Sequence, residues 1–97
     1  MRFLDVVRYG SELVVVAQAD LLSHLTTRFV IPLQPASEFD GVKSSLNPRF
    51  MIADEEMILL AEFASAVRLR ELGAKVASLA DSREKIVGAI DLLVTGV

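Results

Sequence analysis

The sequence contains no cysteine and no tryptophan, and only one of its 97 residues is histidine. Without cysteine the chain can form neither disulfides nor thiolate metal sites, which fits a reducing compartment. The single histidine, His24, excludes a site built on paired histidines, and a lone loop histidine is usually a surface residue. No apolar run approaches the roughly 20 residues of a membrane-spanning helix, and residues 1–5 show no cleavable signal pattern. We therefore expect a cytoplasmic protein.

Charge and hydropathy describe a chain that can build a core. Hydrophobic residues make up 53% of the sequence and charged residues 24%, with a formal net charge of −3. This composition suits one domain, which we assign to residues 1–97. The acidic balance argues against a general nucleic-acid binder but leaves room for a local basic patch. The mean hydropathy of +0.48 is high for so small a chain, so we expect a homodimer that covers part of the apolar surface.

Short apolar runs separated by turn residues predict an antiparallel sheet. The predicted strands are residues 2–9, 13–17, 28–33, 49–52, 57–60 and 66–72, with a short irregular or helical piece at 35–39 that Asp40 and Gly41 end. Gly10 and Ser11 close a first hairpin, and the acidic turn 53–56 closes a second. Pro32 is expected to place the end of the third strand at an edge or bend.

The C-terminal residues show an amphipathic helical pattern. At about 100° per residue, one continuous apolar arc contains Ile86, Val87, Ala89, Ile90, Leu93, Val94 and Val97. We expect Ile90 and Leu93 to be buried, and Asp81 to cap the helix with Glu84 completing a capping box. The last carbonyl groups of a helix have no intrahelical partner, so this end is a candidate projecting element for binding. The residues alone thus predict an α+β, mostly β chain with one C-terminal helix.

A search for catalytic and metal-binding patterns finds no active site. The densest acidic cluster, residues 54–56, is better explained as a solvated hairpin turn than as a cation site. Arg68 and Arg70 are predicted on one strand face and could contact phosphate, but an exposed face with neighbouring carboxylates is the favoured interpretation. Gly88 and Gly96 lie in no phosphate-binding glycine motif. The sequence therefore predicts no catalytic residue, no metal and no cofactor.

Taken in order, several segments resemble the CcdB family of toxins. The resemblance is carried by residues 18–22 (QADLL), 28–33 (RFVIPL), 46–48 (LNP), 52–55 (IADE), 63–65 (FAS), 76–79 (VASL), 83–84 (RE) and 89–92 (AIDL), followed by Gly96. It implies an SH3-like, partly open antiparallel barrel of the CcdB/MazF type with a C-terminal α-helix, assembled as a two-fold homodimer.

The same resemblance implies a function without chemistry of its own. Toxins of this family are part of type II toxin–antitoxin systems, bind the DNA gyrase A subunit and trap the complex with cleaved DNA. A cognate CcdA-like antitoxin neutralises them, and operator DNA is reached only through that antitoxin, for transcription regulation. The expected partners are therefore a second copy of the chain, gyrase and an antitoxin, with no membrane.

The family's gyrase contacts correspond to positions of this chain. Where the family has an isoleucine pair, this chain has Leu21 and Leu22. Where the family has an asparagine and a phenylalanine on the helix, this chain has Asp91 and Val94. The family's terminal Trp-Gly-Ile corresponds to Thr95, Gly96 and Val97. In the family the tryptophan stacks on gyrase arginines, an interaction worth about 1–2 kcal/mol when desolvated. Thr95 offers only a methyl and a hydroxyl group, so the contact residues at this end differ from the family's.

Three functional interpretations follow. The favoured one is a gyrase-directed toxin whose target differs at the contact residue. The second is an attenuated family member that retains antitoxin binding and operon autoregulation without gyrase poisoning. The third, well behind, is a MazF-like endoribonuclease, which needs a polar and basic cluster that the sequence does not make evident.

Overall fold

Seven strands and one α-helix are found in the part of the chain that the computed structural model describes, residues 1–39 and 44–96. They are β1 Asp5–Tyr9, β2 Glu12–Val16, β3 Thr27–Pro35, β4 Arg49–Ile52, β5 Glu55–Leu59, β6 Ser65–Arg68, β7 Leu72–Ser78 and α1 Arg83–Thr95, with short 3₁₀ turns at Asp20–Leu22, Ala36–Phe39, Ala61–Phe63, Leu69–Glu71 and Ala80–Ser82. The strands form one antiparallel sheet in the order β4-β5-β3-β2-β1-β7, and β6 also pairs with β3. This arrangement confirms the predicted mostly β, partly open barrel with a C-terminal helix.

Both predicted hairpins are present. β1 and β2 pair through a turn in which Gly10 takes a positive φ of 61°. β4 and β5 are joined by Ala53 and Asp54, which both have positive φ, 50° and 66°. Such left-handed two-residue turns match the right-handed twist of the strands that they connect. The second loop is shorter than the predicted 53–56 because β5 already begins at Glu55.

β3 continues past Pro32 to Pro35, so the predicted end of the strand is wrong, but Pro32 does lie at a gap in the pairing along one edge of the strand. One edge of β3 pairs with β2. On the other edge, β6 pairs with β3 as far as Val30, and β5 takes over from Leu33. Pro32 falls at this change of partner, where its missing N–H interrupts neither ladder, and this explains how a central strand accommodates proline.

The predicted strand 66–72 is wrong in its second half. β6 ends at Arg68, and Leu69–Glu71 form a 3₁₀ turn before β7 begins. Arg68 and Arg70 therefore lie on two different elements and not on one strand face. β7, which pairs with β1, escapes prediction because its side chains are mostly exposed and show no alternation of burial.

The main core lies between the sheet and α1. Its fully buried members include Leu4, Val6, Val15, Ile31, Leu33, Leu59, Ile86 and Ala89. Ile86 and Ala89 come from the first half of α1, and Ile90 packs against the same cluster while partly exposed. α1 also contacts the turns Ala61–Phe63 and Ala80–Ser82. The apolar arc of the helix is thus confirmed as a buried face over its first two turns.

Two details of the predicted helix are wrong. Asp81 lies in the preceding 3₁₀ turn, and the N-cap residue is Ser82, which makes no side-chain capping hydrogen bond. Leu93, expected to be buried, is 45% exposed, because the helix has passed the edge of the core at that point.

Asp40, Gly41 and Val97 lie outside the described residues.

Candidate functional site

The second half of α1 extends beyond the core and presents apolar side chains. Ile86 and Ala89 are completely buried, whereas Leu93 is 45% and Val94 is 74% exposed. The first pair anchors the helix on the sheet, so its axis fixes where the last turn stands. Large apolar side chains that are exposed to solvent mark contact surfaces when they cluster. The last turn of α1 is therefore held rigidly at its base and is open to a partner at its end.

Hydrogen bonds within the chain finish the helix at Gly96. This residue adopts the left-handed conformation with φ 77°, and its N–H donates to the carbonyl oxygen of Leu92 at 3.0 Å. The hydroxyl of Thr95 donates to the carbonyl oxygen of Asp91 at 2.7 Å. The Leu92 carbonyl is one of the last four of the helix, which a terminus otherwise leaves to solvent, whereas the Thr95 hydroxyl bonds back to a carbonyl inside the helix. The Thr95 hydroxyl is thus directed back along the helix.

Leu21 and Leu22 belong to the 3₁₀ turn Asp20–Leu22 and are 88% and 42% exposed. The Gln18 side-chain amide donates to the Leu22 carbonyl at 3.1 Å. The Asp20 carboxylate accepts a hydrogen bond from the Phe3 N–H at 2.8 Å. The turn is therefore fixed at both ends while its two leucines remain open to solvent.

The predicted contact residues form two groups in one protomer. Asp91, Val94, Thr95 and Gly96 lie together at the C-terminal end of α1, and all four are exposed. The turn with Leu21 and Leu22 is joined through Asp20 to Phe3, whose ring lies 5.5 Å from the guanidinium carbon of Arg83. Arg83 begins α1, roughly 18 Å along the helix axis from Thr95. These contacts connect the two groups to opposite ends of the helix.

Phe63 is an exposed apolar residue outside the set of predicted contact residues. It is 64% exposed and ends the turn Ala61–Phe63, against which α1 packs. Asn47 supports this turn, since its side-chain amide donates to the Leu59 carbonyl at 3.1 Å and to the Glu62 carboxylate at 2.6 Å. The signal in the sequence is an aromatic residue outside any predicted strand. Phe63, on a turn that α1 contacts, is thus a further large apolar side chain exposed to solvent.

Among residues 1–39 and 44–96, no group of three or more histidine, aspartate or glutamate side chains is arranged to hold a metal ion. The acidic residues 54–56 lie on the second hairpin as predicted, and Glu56 forms an ion pair with Arg49 at 3.2 Å. Within the same described ranges, no helix combines the length and the apolar character that crossing a bilayer requires.

Comparisons with known proteins agree with this architecture. The family model described as "CcdB protein" matches residues 6–96. No curated protein sequence matches the chain significantly. A solved structure of an Mtb toxin superposes with a TM-score of 0.74 at 14% identity, covering 88% of this chain and 94% of that chain. The Mycobacterium tuberculosis toxin MazF-mt6 gives a TM-score of 0.74 at 14% identity, with 93% of each chain covered. At this identity the two structures support the fold alone.

Proposed function

Because the chain belongs to the CcdB family, we propose that it is a toxin of a type II toxin–antitoxin system that acts on DNA gyrase in the cytoplasm. It binds the gyrase A subunit through the end of α1 and traps the enzyme with cleaved DNA. One observation carries the proposal: the last turn of α1 is exposed and apolar, with Val94 74% exposed. The protein acts by binding and performs no catalysis.

The proposed gyrase-binding residues are Leu21, Leu22, Asp91, Val94, Thr95, Gly96 and Val97. The position of Gly96 supports this assignment, since its N–H completes the helix and its left-handed backbone directs the chain away from α1. Placing both groups of residues on one partner requires a surface wider than a single helix end. A two-fold dimer supplies such a surface by presenting two helix ends to a two-fold target.

The proposed homodimer covers the exposed ring of Phe63. Light scattering on the purified protein tests it, with Phe63→Glu as the disrupting variant. Met51→Glu is the matched control, because Met51 on β4 is 65% exposed, almost as much as Phe63 at 64%. We expect dimers for the unmodified chain and Met51→Glu, and monomers for Phe63→Glu. A monomer at all concentrations in the unmodified chain would reject the dimer.

A cognate antitoxin is the third proposed partner. In this scheme it releases or prevents gyrase trapping, and it carries the toxin to operator DNA for transcription regulation. For that role the toxin needs no surface for the operator duplex, because the antitoxin makes that contact.

The second candidate function is an attenuated toxin that retains antitoxin binding and autoregulation. The Thr95 side chain favours it, because a hydroxyl donating to the Asp91 carbonyl at 2.7 Å cannot supply the flat surface of a tryptophan. If the loss of that surface is what limits action, Thr95→Trp will increase poisoning of a gyrase that carries the family's arginine.

Supercoiling and DNA-cleavage assays with purified gyrase of the same organism separate the two candidates. Accumulation of linear DNA on addition of the folded toxin supports gyrase poisoning despite Thr95. Addition of the antitoxin then reverses the effect. If no cleaved DNA appears at saturating concentration, while the protein is folded and still binds its antitoxin, the gyrase mechanism is wrong and the second candidate replaces it.

A further inference from the structure

A basic groove lies away from the helix end, between the start of β3 and the end of β6. Its volume is about 790 Å³, and it is lined by Ser23, His24, Leu25, Thr26, Thr27, Arg68, Leu69 and Arg70. In the part of the chain that the structure describes, the lining contains two arginines, a histidine and three hydroxyl side chains, but no carboxylate. His24 and the two arginines are far apart in the sequence, and the strand pairing that brings them together is not visible there.

Backbone pairing fixes the two walls of the groove. In the β3–β6 ladder, Thr27 lies opposite Arg68. Beyond the ladder, the N–H of Leu69 donates to the carbonyl oxygen of Thr26 at 2.9 Å. The 3₁₀ turn that carries Arg70 therefore stands directly beside the loop that carries His24. The groove is built by the sheet and does not depend on side-chain contacts across it.

A buried arginine holds the loop wall in place. Arg28 is 6% exposed, and its guanidinium donates to the carbonyl oxygens of Ser23, Leu25 and Thr27 at 2.9, 2.6 and 2.8 Å. None of the ion pairs found in residues 1–39 and 44–96 gives Arg28 a carboxylate partner. Its positive charge thus lies beneath the groove without a neutralising anion and adds to the field of the groove arginines.

The carboxylate that lies closest to Arg70 in the sequence, that of Glu71, contacts a residue outside the groove. Glu71 follows Arg70, and its carboxylate accepts a hydrogen bond from the Tyr9 hydroxyl at 3.3 Å. The negative charge of Glu71 raises the pKa of Tyr9 above its ordinary value of 10.0, which agrees with this contact. In the described ranges, Arg68 and Arg70 form no ion pair that would compete with a ligand.

We propose that this groove binds the phosphate groups of a single-stranded nucleic acid, with Arg68 and Arg70 as the principal contacts. Guanidinium groups match the geometry of phosphate oxygens, and hydroxyl groups such as those of Thr26 and Thr27 commonly complete phosphate contacts. Leu25 and Leu69 provide apolar surface for sugars and bases. Among the described residues that line the groove there is no phenylalanine, tyrosine or tryptophan, and the one ring on which a base could stack is the imidazole of His24. Binding therefore rests mainly on phosphates and depends little on base sequence.

Fluorescence anisotropy with fluorescein-labelled octathymidylate tests the proposal without gyrase, so its outcome is separate from that of the proposed function. If two phosphates are neutralised, the affinity falls about sevenfold between about 50 and about 200 mM salt. Arg68→Gln/Arg70→Gln should weaken binding by about tenfold or more, as loss of charge-assisted hydrogen bonds predicts. Thymidine monophosphate as competitor distinguishes a site for one phosphate from a site for a chain.

Arg83→Gln/Lys85→Gln is the matched control, because it removes two positive charges from the first turn of α1. We expect this variant to bind like the unmodified chain, with circular dichroism confirming that both variants are folded. Equal binding by the groove variant and the unmodified chain overturns the proposal. It is also overturned if thymidine monophosphate binds as tightly as the oligonucleotide. The same holds if labelled oligoglutamate binds as tightly as octathymidylate and depends on the same arginines, since the groove then serves an acidic peptide.

Discussion

Both halves of α1 carry apolar side chains, but these side chains lie in opposite environments. In the first half, Ile86 and Ala89 are completely buried against the sheet. In the second half, Leu93 and Val94 are 45% and 74% exposed, and the helix ends at Gly96, whose N–H donates to the Leu92 carbonyl. The first half stabilises the fold, whereas the second half presents a surface.

This difference shows what helical periodicity can and cannot indicate. A 3.6-residue repeat identifies the apolar face of a helix, but it does not say which part of that face the same chain covers. The sheet reaches only the first two turns. An apolar face that continues beyond its own core is available to a partner, and the family provides partners of that kind.

The largest expected effect separates the two halves by stability. Ile86→Ala should lower the free energy of unfolding by about 2–5 kcal/mol, because it leaves a cavity in a packed core. Leu93→Ala should change it by about 0.5 kcal/mol or less, as for other exposed positions. Urea unfolding followed by circular dichroism measures both. Equal losses would mean that the second half is buried too, and the comparison would fail.

A smaller effect concerns the turn on which the helix rests. Asn47→Ala removes two hydrogen bonds, to Leu59 and Glu62, and should cost about 1–3 kcal/mol since Asn47 is buried. Glu62→Gln is the control, because it keeps an acceptor for the amide and leaves the Leu59 bond intact. Hydrogen exchange should show faster opening of α1 in Asn47→Ala than in Glu62→Gln. Unchanged exchange would mean that this turn does not support the helix.

The smallest effect should change sign between the halves. Gly88 lies inside the helix with open space around it, so Gly88→Ala should stabilise the protein by about 0.4–1 kcal/mol. Gly96 also has open space but a φ of 77°, so Gly96→Ala should destabilise by about 1 kcal/mol. Thermal unfolding of the two variants checks the signs. Stabilisation by both would show that the left-handed helix end is not maintained in solution.

The sequence predicts hairpins and the helix well because their signals are local. Gly10 marks the first turn, and the repeat from Ile86 onward marks the helix face. The sequence does not predict features that depend on pairing between strands far apart in the chain. β3 can hold Pro32 because its pairing partner on one edge changes there from β6 to β5. The end of β6 at Arg68 has no local signal in the sequence.

The candidate site follows the same division. The exposed end of α1 can be predicted from the chain, since a helix terminus has a recognisable sequence pattern. The contribution of Phe63 and the grouping of His24 with Arg68 and Arg70 depend on tertiary contacts. The contact residues taken from the family stay predictions until gyrase binding is measured.

The most direct test compares two glycine variants in the gyrase cleavage assay. Gly96→Trp and Gly10→Trp are closely matched, because both glycines have positive φ, 77° and 61°, and open space where a side chain would be added. We predict that Gly96→Trp abolishes the accumulation of cleaved DNA while Gly10→Trp retains it, with both proteins folded. Full poisoning by Gly96→Trp would contradict the assignment of function to the end of α1.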